Sequence, residues 1–205
     1  MVDLFNYTRR TSSVAHVGEL DLGGNNPIRI QSMTTTNTND TEACVRQAEE
    51  IIKAGGELVR FTTQGSREAE NMKNINAGIR ADGFTTPLVA DIHFNPNVAD
   101  VAALYCEKVR INPGNYVDPA RKFIKQEYTD EEYAHELQKI EDRFVPFLNI
   151  CKEHHTAIRI GVNHGSLSDR IRNRYGDTPE GIVESCLEFL RICKKENFHD
   201  VVISI

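Results

Sequence analysis

The sequence predicts an α/β protein, specifically the N-terminal portion of a TIM (β/α)8 barrel of about six βα units preceded by a hairpin. Three observations carry this reading. First, short apolar runs alternate with helically periodic stretches along the 205 residues. That pattern implies right-handed βαβ units and a parallel sheet. Second, polar residues recur two apart near the C-terminal ends of four of those runs: Arg60 and Thr62, Asp91 and His93, Arg110 and Asn112, and Arg159, Gly161 and Asn163. Side chains two apart on a strand share a face, and active sites of β/α barrels lie at the C-terminal ends of the strands. Third, a doubly wound sheet would carry a glycine-rich turn after its first strand. Met33–Asn37 (MTTTN) stands there instead, which also argues against dinucleotide binding.

Taken in order, Val14–Leu20 with a turn at Gly23-Gly24 reads as the hairpin. Ile28–Met33 is the first barrel strand. Asn39 or Asp40 caps a helix over Thr41–Ala54, with Val45, Ala48, Ile51 and Ile52 inward and Gly55-Gly56 as the stop. Glu57–Thr63 is the second strand. A helix from Ser66 then carries Ala69, Met72, Ile75 and Ile79 at helical spacing. After the third strand, Pro87–Ile92, Asn95-Pro96 opens a helix whose inner stripe is Val98, Val101, Ala102 and Tyr105. Lys108–Asn112 is the fourth strand. The long interval from Tyr116 to His155 holds a short helix from Pro119 and a longer one from about Asp130, with a capping box at Thr129 and Glu132. Pro146 is expected to bend or break that longer helix. Thr156–Val162 is the fifth strand. Thr178-Pro179 opens a helix with Val183, Cys186, Leu187 and Leu190 inward, and Asp200–Ile205 is the sixth strand.

A full barrel has eight units. With six units and an apolar run at Val201–Ile205, residues 1–205 read as an incomplete barrel domain of a longer protein. Its unpaired strand edges give the expectation of self-association, a homo-oligomer or an aggregate.

Composition narrows the function classes. The charged fraction of 26% and apolar fraction of 40% are those of an ordinary globular domain. No run of about 18 apolar residues exists to span a membrane, and no secretory leader is visible at Met1–Arg10. A net charge of −6 argues against a nucleic-acid or anionic-membrane binder, so any anion site must be locally focused. The five cysteines, Cys44, Cys106, Cys151, Cys186 and Cys193, form no C-x-x-C pair. They read as reduced core residues of a cytoplasmic protein, with no metal site expected.

Four runs together resemble one family: IQSMT at Ile30–Thr34, LVADIHF at Leu88–Phe94, VRINPGN at Val109–Asn115, and IRIGVN at Ile158–Asn163 followed by Gly165-Ser166. They are similar to the N-terminal barrel of 4-hydroxy-3-methylbut-2-enyl diphosphate synthase, from about Tyr7 onward. The long middle interval resembles the family's larger, plant-like form. The resemblance implies an oxidoreductase of non-mevalonate isoprenoid biosynthesis that reductively converts 2-C-methyl-D-erythritol 2,4-cyclodiphosphate. It implies Arg60, Arg110 and Arg159 as diphosphate-binding residues, Asn112 and Asn163 as polar groups beside them, and Asp91 and His93 as groups close to the reacting substrate. It further implies a [4Fe-4S] cluster and an electron donor such as ferredoxin or flavodoxin. The family's cluster ligands, three cysteines and a glutamate, have no counterpart here, so the chain alone is expected to be inactive. Guanidinium forks fit phosphate oxygens bidentately, which makes the mapping chemically apt.

Plainer readings stand beside these. Any one arginine can pair with a buried acid, as Arg110 with Asp91. His93 can be a core histidine, and Asp91 more readily orients a neighbour than transfers protons. Gly114 and Gly161 can serve turn geometry and close packing. His154-His155 and Arg170, Arg172 and Arg174 read as solvated surface, with a salt-bridged lid as the other reading of the arginines. Two other function classes remain open, a pterin-binding barrel enzyme and a non-catalytic partner module.

Overall fold

A computed structural model describes residue 6 and residues 10–118 and 127–205 of the chain. Among the described residues, six parallel strands form one curled sheet in chain order: β3 (Gln31–Met33), β4 (Leu58–Thr63), β5 (Leu88–Ile92), β6 (Lys108–Ile111), β7 (Ala157–Gly161) and β8 (Val201–Ser204). Neighbours in the sheet are neighbours in sequence, as barrel topology requires. β1 (Val14–Val17) and β2 (Leu20–Gly23) form a separate antiparallel hairpin. The helices are α1 (Thr41–Lys53), α2 (Ser66–Ala81), α3 (Pro96–Ala103), α4 (Asp130–His154), α5 (Asp169–Tyr175) and α6 (Pro179–Lys195).

Two apolar layers hold the sheet. Outside it, Phe61, Ala90, Val109 and Ile158 bury against Met72, Ile79, Ala102 and Phe144 of the helices. Tyr116, Phe144 and Phe189 pack edge to face, with ring centroids 5.0–5.6 Å apart. Inside it, Leu58, Val89 and Ala157 join Val17 of the hairpin in a smaller cluster, with Leu20 and Leu22 against it. The hairpin therefore covers the N-terminal end of the inner face, and a bond from the His16 amide to Asp200 ties it to the start of β8.

Helix starts follow the sequence signals. Asp40, Asn95, Thr129 and Thr178 accept from first-turn amides, and Thr129 with Glu132 forms the expected capping box. Several boundaries differ. The hairpin turns at Gly18-Glu19, where Gly18 adopts φ +57, rather than at Gly23-Gly24. Gly23 and Gly24 instead redirect the chain after β2, where a Cβ on Gly23 would meet the Ser13 carbonyl at 2.3 Å. β3 begins at Gln31, although the Ile30 carbonyl still accepts from Leu58.

Pro146 does not interrupt α4, which runs unbroken from Asp130 to His154. Proline and the carbonyl it orphans, on Asp142, both belong to exposed residues on the solvent side of the helix, while Phe144, Phe147, Leu148 and Cys151 hold the helix to the core. On α6 the inner face is Gly181, Ser185, Cys186, Glu188, Phe189 and Ile192, with Val183 and Leu187 exposed. Apolar spacing missed this because a buried ion pair at Glu188 shares the face. α5 was not expected at all, and the helix proposed from Pro119 lies outside the described residues.

Phe144 is fully buried at the centre of the aromatic cluster. Phe144→Ala is expected to destabilise the chain by about 3–5 kcal/mol, read as a shift in the urea midpoint. A shift under about 1 kcal/mol would mean that the cluster is not a close-packed core.

Candidate functional site

Strand register brings the polar residues to one place. Thr62 pairs with Asp91, Asp91 with Arg110, and Arg110 with Arg159 across β4 to β7. Asp91 is 1% exposed and takes three partners. Arg60 donates to Oδ2, Arg110 donates from Nη1 to Oδ1 at 3.1 Å, and His93 Nε2 lies 3.1 Å from Oδ2. Arg110 also donates from Nη2 to the Gly161 carbonyl at 3.1 Å. Gly161 is required for this, since a Cβ there would lie 2.5 Å from Arg110 Nε. The Nε groups of Arg60 and Arg110 are buried with no acceptor among the described residues.

Charge is unbalanced on this face. Burial alone would raise the Asp91 carboxyl, but Arg60 and Arg110 overcome it and hold the group below the usual carboxylate range. Asp91 is thus an anion at neutral pH, unsuited to act as a proton donor. The Arg159 guanidinium makes no hydrogen bond or ion pair among the described residues. Burial, with Arg60 and Arg110 nearby, pushes its pKa down from the ordinary arginine value. A guanidinium still carries its proton under such a shift. Lys108, two residues before Arg110 and 2% exposed, adds a fourth cation. Sequence reasoning missed it, although its i, i+2 relation to Arg110 was the available signal.

The two asparagines sit at the rim. Asn112 is buried, and Asn163 is exposed. Each caps a 3-10 turn, at Pro113–Asn115 and His164–Ser166, by accepting from the glycine two residues on. Asn112 Nδ2 also donates to Ser166 Oγ at 2.8 Å, linking the loops after β6 and β7. Gly114 allows their close approach, because a Cβ there would fall 1.7 Å from the Ser166 carbonyl. These amides first build the rim.

Arg170 is not solvated surface. It is 2% exposed and holds Glu188 at 2.6 and 2.7 Å and Asp118 at 3.2 Å. Burial opposes its charge, and the two carboxylates more than restore it. Arg172 pairs with Asp177 and Arg174 with Asp130 nearer the surface, while His154 and His155 are exposed as expected.

An iron–sulfur cluster does not fit the residues present. All five cysteines are buried. Burial pushes the Cys193 thiol up to about 12 and raises Cys44, Cys106, Cys151 and Cys186 as well. A cluster is held by thiolates. Among the described residues, no group of three or more Cys, His, Asp or Glu is placed to hold a metal ion.

A family profile described as the GcpE TIM-barrel domain matches residues 11–205. The chain belongs to this family. It is 75% identical over 204 residues to the 4-hydroxy-3-methylbut-2-en-1-yl diphosphate synthase (flavodoxin) of Phocaeicola vulgatus, covering 100% of this chain and 33% of that protein. The enzyme of the same name from Akkermansia muciniphila is 52% identical over 201 residues, covering 98% and 34%. This chain spans about a third of the length of those relatives. Among solved structures, a truncated 3-deoxy-D-arabino-heptulosonate 7-phosphate synthase from Thermotoga maritima aligns with a TM-score of 0.57 at 10% identity, covering 94% of this chain and 56% of that one. That likeness supports the barrel fold alone.

Within this GcpE barrel, Asp91 is the shared counter-charge of Arg60 and Arg110. Asp91→Asn leaves Arg60 and Arg110 without a counter-charge, at a cost of about 3 kcal/mol at neutral pH. The folded pKa of Asp91 is depressed, so its stabilisation is present above the unfolded value of about 3.9 and lost as pH falls through the folded value. Denaturant unfolding of the two proteins is therefore expected to differ by a constant amount from pH 7 down to about pH 4 and to converge only as pH falls further, towards the folded value. A difference that already changes between pH 7 and about pH 5 would show that Asp91 is not held ionised by its arginines.

Proposed function

We propose that this chain is the substrate-binding barrel portion of a 4-hydroxy-3-methylbut-2-enyl diphosphate synthase. In this reading the inner face binds 2-C-methyl-D-erythritol 2,4-cyclodiphosphate through its diphosphate. The observation that carries it is the excess of positive charge on the inner face: buried Arg110 and Lys108 and half-buried Arg60 and Arg159 share it, among the described residues, with the single carboxylate Asp91. Such a face is poorly compensated alone and well compensated by a polyanion.

The cations have separate roles. Arg60 and Arg110 are already oriented by Asp91, so they present their remaining N–H groups from fixed positions. Arg159 is uncommitted and free to fork onto phosphate oxygens. His93 points to solvent with more than a third of its side chain exposed, while its Nε2 touches Asp91. It is the group best placed to hold or pass a proton at the mouth. Fixed cations also suit negative charge that grows on the phosphate oxygens as the cyclic diphosphate opens.

Reduction requires electrons. The names of the relatives specify flavodoxin, and the family resemblance implies a [4Fe-4S] cluster. The residues of this chain do not fit that cluster, so no step is assigned to it here. The part assigned to this chain is recognition and orientation of the anion.

Titration calorimetry with the cyclodiphosphate tests the reading. Arg159→Ala is expected to weaken binding by about 1.5–3 kcal/mol, the range for hydrogen bonds to charged groups, with little loss of stability. Arg110→Ala is expected to lose both binding and stability, because buried Asp91 keeps Arg60 and His93 but loses one of its two arginines, and the Gly161 carbonyl loses its guanidinium donor. Wild-type affinity in either variant would refute the site.

A further inference from the structure

Lys108 does something the arginines do not. Its backbone lies one inner-facing step below Arg110 and Arg159, level with Arg60, Val89 and Ala157, where β6 meets the apolar floor formed with Leu58 and Val17. From there it reaches across the curled sheet to Gln31 of β3, with Nζ 3.2 Å from Oε1. An ammonium has three protons to donate. Among the described residues this amide oxygen is its one partner, and no carboxylate pairs with it. Buried lysines are rare unless paired. A methionine of similar length would fill the same space without the desolvation cost, so packing alone does not explain the charge.

We propose that Lys108 is a floor cation of the anion site, and that Gln31 holds its ammonium in position until a phosphate group takes it over. The proposal deepens the diphosphate reading above and rests on it. The charged or titratable groups facing this compartment are Arg60 from β4, Asp91 and His93 from β5, Arg110 from β6 itself and Arg159 from β7. Gln31 of β3 is neutral, and the hairpin presents Val17, Leu20 and Leu22 to the floor. Asp91 is fully engaged by Arg60, Arg110 and His93 and leaves the ammonium uncompensated. Burial, then Arg159 and Arg60, lower the Lys108 ammonium to about 8, so it is mostly charged at neutral pH and titrates just above it. An anion bound beside it would raise that value.

Calorimetry with inorganic pyrophosphate tests this on the wild-type chain and on Lys108→Met, Gln31→Met and Arg159→Ala. Lys108→Met is expected to bind about tenfold or more weakly, whereas Gln31→Met binds as well as wild type or better. The ratio of wild-type to Lys108→Met affinity is expected to fall towards one between about pH 7 and pH 9, because wild type loses the charge that methionine lacks. Taking the ratio cancels the titration of pyrophosphate itself. Near wild-type affinity in Lys108→Met, with binding lost in Arg159→Ala, overturns the inference and leaves the parent reading standing. Equal weakening in Lys108→Met and Gln31→Met also overturns it, because that is the signature of a structural tether. Absence of pyrophosphate binding by wild type overturns both. Should Lys108→Met fail to fold, carbon NMR of the Lys108 side chain in wild type decides. A titration midpoint that rises on adding pyrophosphate supports the proposal, and an unmoved midpoint overturns it.

Discussion

Asp91 is buried between Arg60 on one neighbouring strand and Arg110 on the other, and its carboxylate also meets His93. A carboxylate in this position allows cations to face the interior of a sheet whose other face is an apolar core. Coulomb attraction in a low-dielectric interior is strong, yet desolvation offsets much of it. The sharing therefore does little for net stability and much for geometry. It fixes two guanidinium groups around one carboxylate, while Gly161 leaves the space that Arg110 occupies. Arg159 and Lys108 remain uncompensated, and that surplus is what an anionic ligand would satisfy.

The rim above this layer is fastened independently. Asn112 and Ser166 join the loops after β6 and β7, and Gly114 admits the backbone of the second loop against the first. Behind them, Arg170 gathers Asp118 and Glu188, with Tyr133 donating to Glu188 and stacking its ring 4.7 Å from the guanidinium. This buried cluster connects the segment after β6, the short α5 and the long helices α4 and α6. The same packing principle operates at the other end, where the apolar hairpin closes the floor. Between a sealed floor and a braced rim, the cation layer has few ways to rearrange, and the preorganisation needed for anion recognition follows.

Much of this was legible in the residue pattern. The i, i+2 spacing of Arg60, Asp91, Arg110 and Arg159 near strand ends gave both the barrel and the convergence of the site. Helix starts at Asp40, Asn95, Thr129 and Thr178 were legible because capping is local chemistry. What was not legible depended on distant partners. Arg170 looked like surface because its acids are 18 and 52 residues away in sequence. Val183 and Leu187 looked like core because the polar residue on the true inner face, Glu188, is neutralised only in three dimensions. Asn112 and Asn163 carried the expected amides, but their first duty is capping, which the glycine two residues on could have signalled. Lys108 was passed over because lysine is ordinarily a surface residue.

The central claim is that the inner face of this half-barrel is an anion site built around uncompensated cations. The most direct measurement is a crystal structure of the chain with pyrophosphate bound. The account predicts the anion on the inner face of the sheet, forked by the Arg159 guanidinium, within hydrogen-bond reach of Arg60 and Arg110, and with the Asp91 contacts to both arginines preserved. Pyrophosphate bound elsewhere, for example against Arg10 and Arg29 beside the hairpin, with Arg159 uncontacted, would contradict it.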